Sequence, residues 1–205
     1  LFPKPRPQLI TVPACKRCHS PTHNDDGYFY QRVCINADAG GHPDAKRNLR
    51  PIMNSLQRPQ FQGMAKTLMK DLREVWLRTP SGIYTERAQA FDVDLNRIFR
   101  VVERTVRGLF FAETKKRLDP AYCVRVESND TLSRQAPDLL EHITRTILTP
   151  LSLRPAKVIG NEVFVYRYAI TAEDPNASAW ALTFYGNVPF LATTAPIVDP
   201  GPNQR

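Results

Sequence analysis

The longest regular pattern in the chain lies between residues 93 and 116. Leu95, Ile98, Phe99, Val102, Val106, Leu109 and Phe110 recur there at steps of one, three and four residues. That period gathers them on one stripe of an α-helix, and such a stripe has to face a core. The same spacing predicts a helix over about 25–37, carrying Tyr28, Phe29, Val33 and Ile35. Asn24 would cap it, Asp25 and Asp26 favour its first turn, and Gly40-Gly41 end it. Pro43 opens a helix over 43–57 and Pro59 another over 59–78, the latter with Phe61, Met64, Leu68, Leu72 and Val75 in helical register. A further helix over 132–148 carries Leu139, Leu140, Ile143 and Ile147.

Elsewhere the pattern is that of strands. Leu9–Val12, residues 83–92 and 121–127 are short apolar or alternating runs, and Thr79-Pro80-Ser81-Gly82 is a turn. The last third is rich in β-branched and aromatic residues over 158–170 and 180–185, with Gly160-Asn161 and Gly186-Asn187 as tight turns and 188–193 pairing back. These elements predict an α+β protein: a small N-terminal knuckle with its following helix over 1–40, then an accessory domain over 41–205. That domain has helices to about 148 and antiparallel strands over about 156–194. Residues 1–8 and the stretch after Pro196 are Pro-rich and read as extended.

Composition narrows the function classes. The 205 residues carry 28 Lys and Arg against 20 Asp and Glu, a net charge of +8, which favours a polyanionic partner and nucleic acid first. Four cysteines are too few for a disulfide scaffold and fit a reducing, cytoplasmic setting. Cys34 and Cys123, each between apolar neighbours, read as buried small hydrophobes. No run of 18 apolar residues suggests a membrane span, and Leu1-Phe2-Pro3-Lys4 has no signal-peptide character. The first residue is Leu, so the chain is expected to begin inside a longer protein.

The chemistry concentrates in Cys15-Lys16-Arg17-Cys18-His19-Ser20-Pro21-Thr22-His23. Two thiols separated by two residues reach one metal ion across a tight turn. Two histidines four apart converge from one face of a helical turn. Cys-x-x-Cys-His-x-x-x-His after an apolar stretch resembles the second half of the HNH (ββα-metal) endonuclease motif, over about residues 9–24. The resemblance implies that Cys15 and Cys18 hold half of a structural Zn²⁺ site. His23, with His19 near the Asn/His position, would lie on the side of a catalytic Mg²⁺ or other divalent ion. It implies DNA as substrate, with Lys4, Arg6, Lys16 and Arg17 facing the nucleic acid. The family's first Cys-x-x-Cys and the Asp-His or Glu-His that supplies the general base are absent from these 205 residues. This chain alone is therefore expected to be inactive, the downstream part of an HNH-type enzyme. The alternatives are a non-catalytic, zinc-braced module that binds nucleic acid or a partner, and haem attachment at Cys15-x-x-Cys18-His19.

Other candidates are weaker. Arg97, Arg100, Arg104 and Arg107 fall three, four and three apart and could grip phosphates. Asp94, Glu103 and Glu113 lie near enough to pair with them instead. His42 reads as a helix cap, a spare ligand or an exposed loop residue, and His142 as structural. Asp92 and Asp94 suit a metal, though capping by Asp94 explains them without one. Tyr166, Tyr168, Phe184 and Tyr185 could stack on bases, but such residues in strands more often form core.

Overall fold

The computed structural model describes residues 9–13, 23–59, 62–79 and 81–197. The architecture is α+β, with a helical middle and a C-terminal antiparallel sheet of five strands. Helices are α1 (His23–Cys34), α2 (Pro43–Leu56), α3 (Gln62–Asp71), α4 (Leu95–Thr114), α5 (Asn129–Ser133), α6 (Pro137–Ile143) and α7 (Thr149–Ser152). Strands are β1 (Leu72–Arg78), β2 (Tyr84–Phe91), β3 (Tyr122–Ser128), β4 (Lys157–Ile159), β5 (Phe164–Ile170), β6 (Ser178–Phe184) and β7 (Val188–Pro196).

The large sheet runs β3-β7-β6-β5-β4, every neighbour antiparallel. Its strands alternate sides, so β6 sends Trp180, Leu182 and Phe184 to one face and Ala179 and Ala181 to the other. The first face meets α4 through Val102, Val106 and Phe110, and α1 through Phe29. Phe29 stands edge-on to Phe184 at 5.1 Å between centroids, so residues of the expected knuckle region share the core of the rest. The second face is small-sided and takes Leu132 and Leu151 of α5 and α7. The turns into β5 and β7 use positive φ at Gly160 (58°), Glu162 (56°), Tyr185 (48°) and Gly186 (77°), where the two glycines carry no steric penalty.

Three sequence expectations are corrected. The helix over 59–78 stops at Asp71, and Leu72–Arg78 pairs with Tyr84–Phe91 as a two-stranded ribbon. Its apolar residues 72, 75, 76 and 77 fit a helical stripe as well as a strand, and the partner strand decides the matter. Leu9–Val12 belongs to no strand among the described residues. Instead Val12 lies across α4 at Gly108, where an added Cβ would stand 3.2 Å from Val12 Cγ2. The helix over 132–148 is broken: α5 ends at Ser133, and Ala136 is extended (φ −58°, ψ 142°) because Pro137 disfavours the helical conformation before it. Beyond Ile143 the helix loosens into a π turn over Thr144–Leu148 before α7.

Candidate functional site

Cys15, Cys18, His19, Lys4, Arg6, Lys16 and Arg17 lie outside the described residues. His23 is the first residue of α1. The described part of the site is therefore the helix into which the motif runs, together with what holds it.

That helix is clamped at its first turn. Asp25 is buried and accepts hydrogen bonds from Arg97 Nε (2.7 Å) and Arg100 Nε (2.9 Å), one on each carboxylate oxygen. The Arg100 hydrogen bond, with help from Arg97, holds the Asp25 carboxyl below its usual range against the opposing effect of burial. Arg97 also donates to the carbonyl of Asn24 at 2.9 Å and lies 4.2 Å from the centre of the Tyr28 ring. Tyr28 Oη accepts from the backbone N–H of Asp94 at 2.8 Å, and Arg104 pairs with Asp26. Acids near a helix start are favoured by its dipole, and here they serve a second purpose as anchors.

The arginine series is thus brought together, though not as a row facing solvent. Arg97, Arg100 and Arg104 reach across to α1, while Arg107 pairs with Glu103 at 3.1 Å within α4. Both fates follow from acids at suitable positions, but only the intrahelical one can be read from spacing alone.

The remaining candidates are structural in geometry. Asp94 caps α4, accepting from the N–H groups of Asn96 and Arg97, and Asp92 pairs with Arg73 at 2.9 Å. His42 caps α2: Nδ1 accepts from Asp44 N–H at 3.1 Å, so the proton sits on Nε2, which donates to the carbonyl of Asn161 at 2.8 Å. Cys34 is buried beside Tyr185, with Sγ 3.3 Å from Oη, and burial pushes its thiol up, away from the reactive thiolate. Cys123 is half-buried. Tyr166, Phe184 and Tyr185 are in the core, with Tyr168 packed against it.

Sequence reasoning missed two features. Glu113, near the end of α4 and expected to pair with its arginines, instead accepts from Tyr166 Oη (2.6 Å), Tyr168 Oη (2.8 Å) and Lys157 Nζ (2.5 Å), tying the helix to β4 and β5. Burial raises its carboxyl and these three donors together lower it further, so the net displacement is downward. The alternation of Tyr166 and Tyr168 in one strand was the available signal. Arg32 is the other, a buried arginine in the last turn of α1.

Among the described residues no group of three or more His, Cys, Asp and Glu side chains could hold a metal, and no helix is long and apolar enough to cross a membrane. No family model matches the chain, and neither a curated protein nor a solved structure matches it.

Proposed function

We propose that the chain is the downstream part of an HNH-type endonuclease that hydrolyses DNA phosphodiesters with a divalent metal. The observation that carries this reading is the junction at His23: the last histidine of Cys-x-x-Cys-His-x-x-x-His opens a helix, and that helix is fixed to α4 by Asp25, Asp26, Arg97, Arg100 and Arg104. A helix that presents a metal ligand needs a fixed start, because small displacements of a ligand weaken coordination. Two thiols and two imidazoles form a donor set of the kind zinc prefers. Cys15 and Cys18 would supply half of a structural zinc site, and His23, with His19, would face the catalytic ion. That ion would polarise a phosphoryl oxygen and activate water. The general base is not among these residues, and the reading puts it ahead of Leu1.

The test is metal content together with DNA cutting, on this chain and on a form extended upstream. Zinc near one equivalent, with Mg²⁺- or Mn²⁺-dependent cutting confined to the extended form, is expected. Zinc without cutting in either form would favour the braced binding module. Zinc content unchanged in the double variant Cys15→Ser, Cys18→Ser would overturn the metal reading.

A further inference from the structure

Arg32 is an exception to the way this protein treats charge. It is 8% exposed, yet among the described residues no carboxylate or carbonyl accepts a hydrogen bond from it. Its guanidinium is instead held between two rings, 4.9 Å from the centre of Tyr28 and 4.7 Å from that of Phe91. Cation–π contacts offset part of the cost of burying its stem, and none of its nitrogens is fully enclosed, so its in-plane N–H donors remain open to solvent. A guanidinium whose stem is buried and whose donors stay open to solvent can take an acceptor from a ligand.

Arg32 lines a cleft of about 570 Å³ between α1, the β2–α4 junction and the start of β7. That volume falls in the range of small-molecule sites. Phe91, Val93, Ile98 and Phe190 give it apolar walls, and Asn36 and Ser128 add polar groups. Two of its acids are already neutralised, Asp92 by Arg73 at 2.9 Å and Asp130 by Arg134 at 2.8 Å, while Asp38 is exposed. Among the charged lining residues, the one that is largely buried is therefore a cation, with no ion-pair partner among the described residues.

We propose that this cleft binds an organic anion, its phosphate or carboxylate taken by the Arg32 guanidinium and its flat or apolar body lying against Phe91 and Phe190. A guanidinium offers paired, coplanar donors that match two oxygens of such a head group. The rings already stacked on it keep those donors oriented before the ligand arrives, which limits the ordering cost of binding. The site does not depend on the metal motif.

The experiment is thermal unfolding and calorimetry of the full chain with adenosine 5′-monophosphate, indole-3-acetate, adenosine and inorganic phosphate. An organic anion should raise Tm, and adenosine should not. A response to the nucleotide alone selects a phosphate head, and a response to indole-3-acetate alone selects a carboxylate. Arg32→Met removes the charge and keeps the volume. It should fold with an unchanged or higher Tm and bind the responding anion roughly tenfold or more weakly. Val93→Trp, which fills the cleft and leaves Arg32 in place, should also abolish the response. The proposal is overturned if neither organic anion binds the native chain, if Arg32→Met binds as well as the native chain, or if Arg32→Met unfolds while Val93→Trp still responds.

Discussion

The chain has two tryptophans, one in each sheet, and they meet opposite fates. Trp180 of β6 is 0% exposed and Trp76 of β1 is 54% exposed. Both stand in antiparallel strands, although the β1–β2 register slips between Trp76 and Arg78 while β6 keeps an unbroken register with β5. Trp180 is covered by α4, stacks on Tyr168 at 4.9 Å, and donates its N–H to Ser178 Oγ at 2.8 Å. Ser178 in turn meets Thr194 at 2.7 Å, so the polar edge of the ring is fully answered inside the core. Among the described residues Trp76 has only local company in the ribbon: Tyr84 edge-on at 6.1 Å and the Arg87 guanidinium 4.8 Å above its ring. Ile83 at the ribbon's tip is 64% exposed. Backbone pairing makes a strand in both places, and a helix laid across the face is what turns one of them into core.

The largest effect that would sharpen this contrast is Trp180→Ala. It should cost about 3–5 kcal/mol in denaturant unfolding, as deletions of large buried aromatics do. A loss below about 1 kcal/mol would mean that the sheet is not the seat of stability.

Next come the ties that hold the covering helices down. Asp25→Asn leaves Arg97 and Arg100 without their shared carboxylate and should cost about 2 kcal/mol, tempered by the partial exposure of both arginines. The sign with pH follows from the lowered Asp25 carboxyl. Its contribution is present above the unfolded carboxylate pKa of about 4 and is lost as pH falls through the lower folded value. The variant should therefore lose less stability than the native chain on acidification below pH about 4. Equal acid limbs in urea melts at several pH values would show that Asp25 gains nothing from its partners.

Glu113→Gln should cost about 1–2 kcal/mol, because Tyr166, Tyr168 and Lys157 keep a weaker acceptor. Hydrogen exchange should speed up in β4 and β5 and stay unchanged in the ribbon. The smallest effect belongs to Trp76→Ala, about 0.5 kcal/mol or less. Acrylamide should quench Trp76 freely in the Trp180→Phe variant and leave Trp180 shielded in Trp76→Phe. Equal quenching of the two residues would erase the contrast.

Legibility followed the same divide. The stripe from Leu95 to Phe110 and the turns at Gly160 and Gly186 were plain in the sequence, because period and turn chemistry are local. The ribbon was not: Leu72 and Val75 continue the spacing of Leu68, and the residues that decide against a helix lie a strand away, at Tyr84–Phe91. The arginines of α4 were visible, but their direction was not, since Asp25 is 72 positions from Arg97. Arg32 carried no signal of its own, because nothing in a sequence reveals which arginine will lie between two rings contributed by distant segments. Of the metal motif, the structure describes His23 only as the start of α1.

The contact of Val12 with Gly108 has a consequence for that motif. On one side of residues 14–22 the chain is seated on α4 at Gly108, and on the other it is seated on the same helix through Asp25 and Asp26. Both stems of the ligand-bearing stretch thus stand on a single rod, at points within about three turns of one another. On the proposed metal reading, closing a stretch between two fixed stems costs less chain entropy than closing a free one, an advantage set by the helix rather than by the ligands. On that reading Gly108→Leu, which crowds Val12 without touching a cysteine or a histidine, is expected to lower zinc affinity.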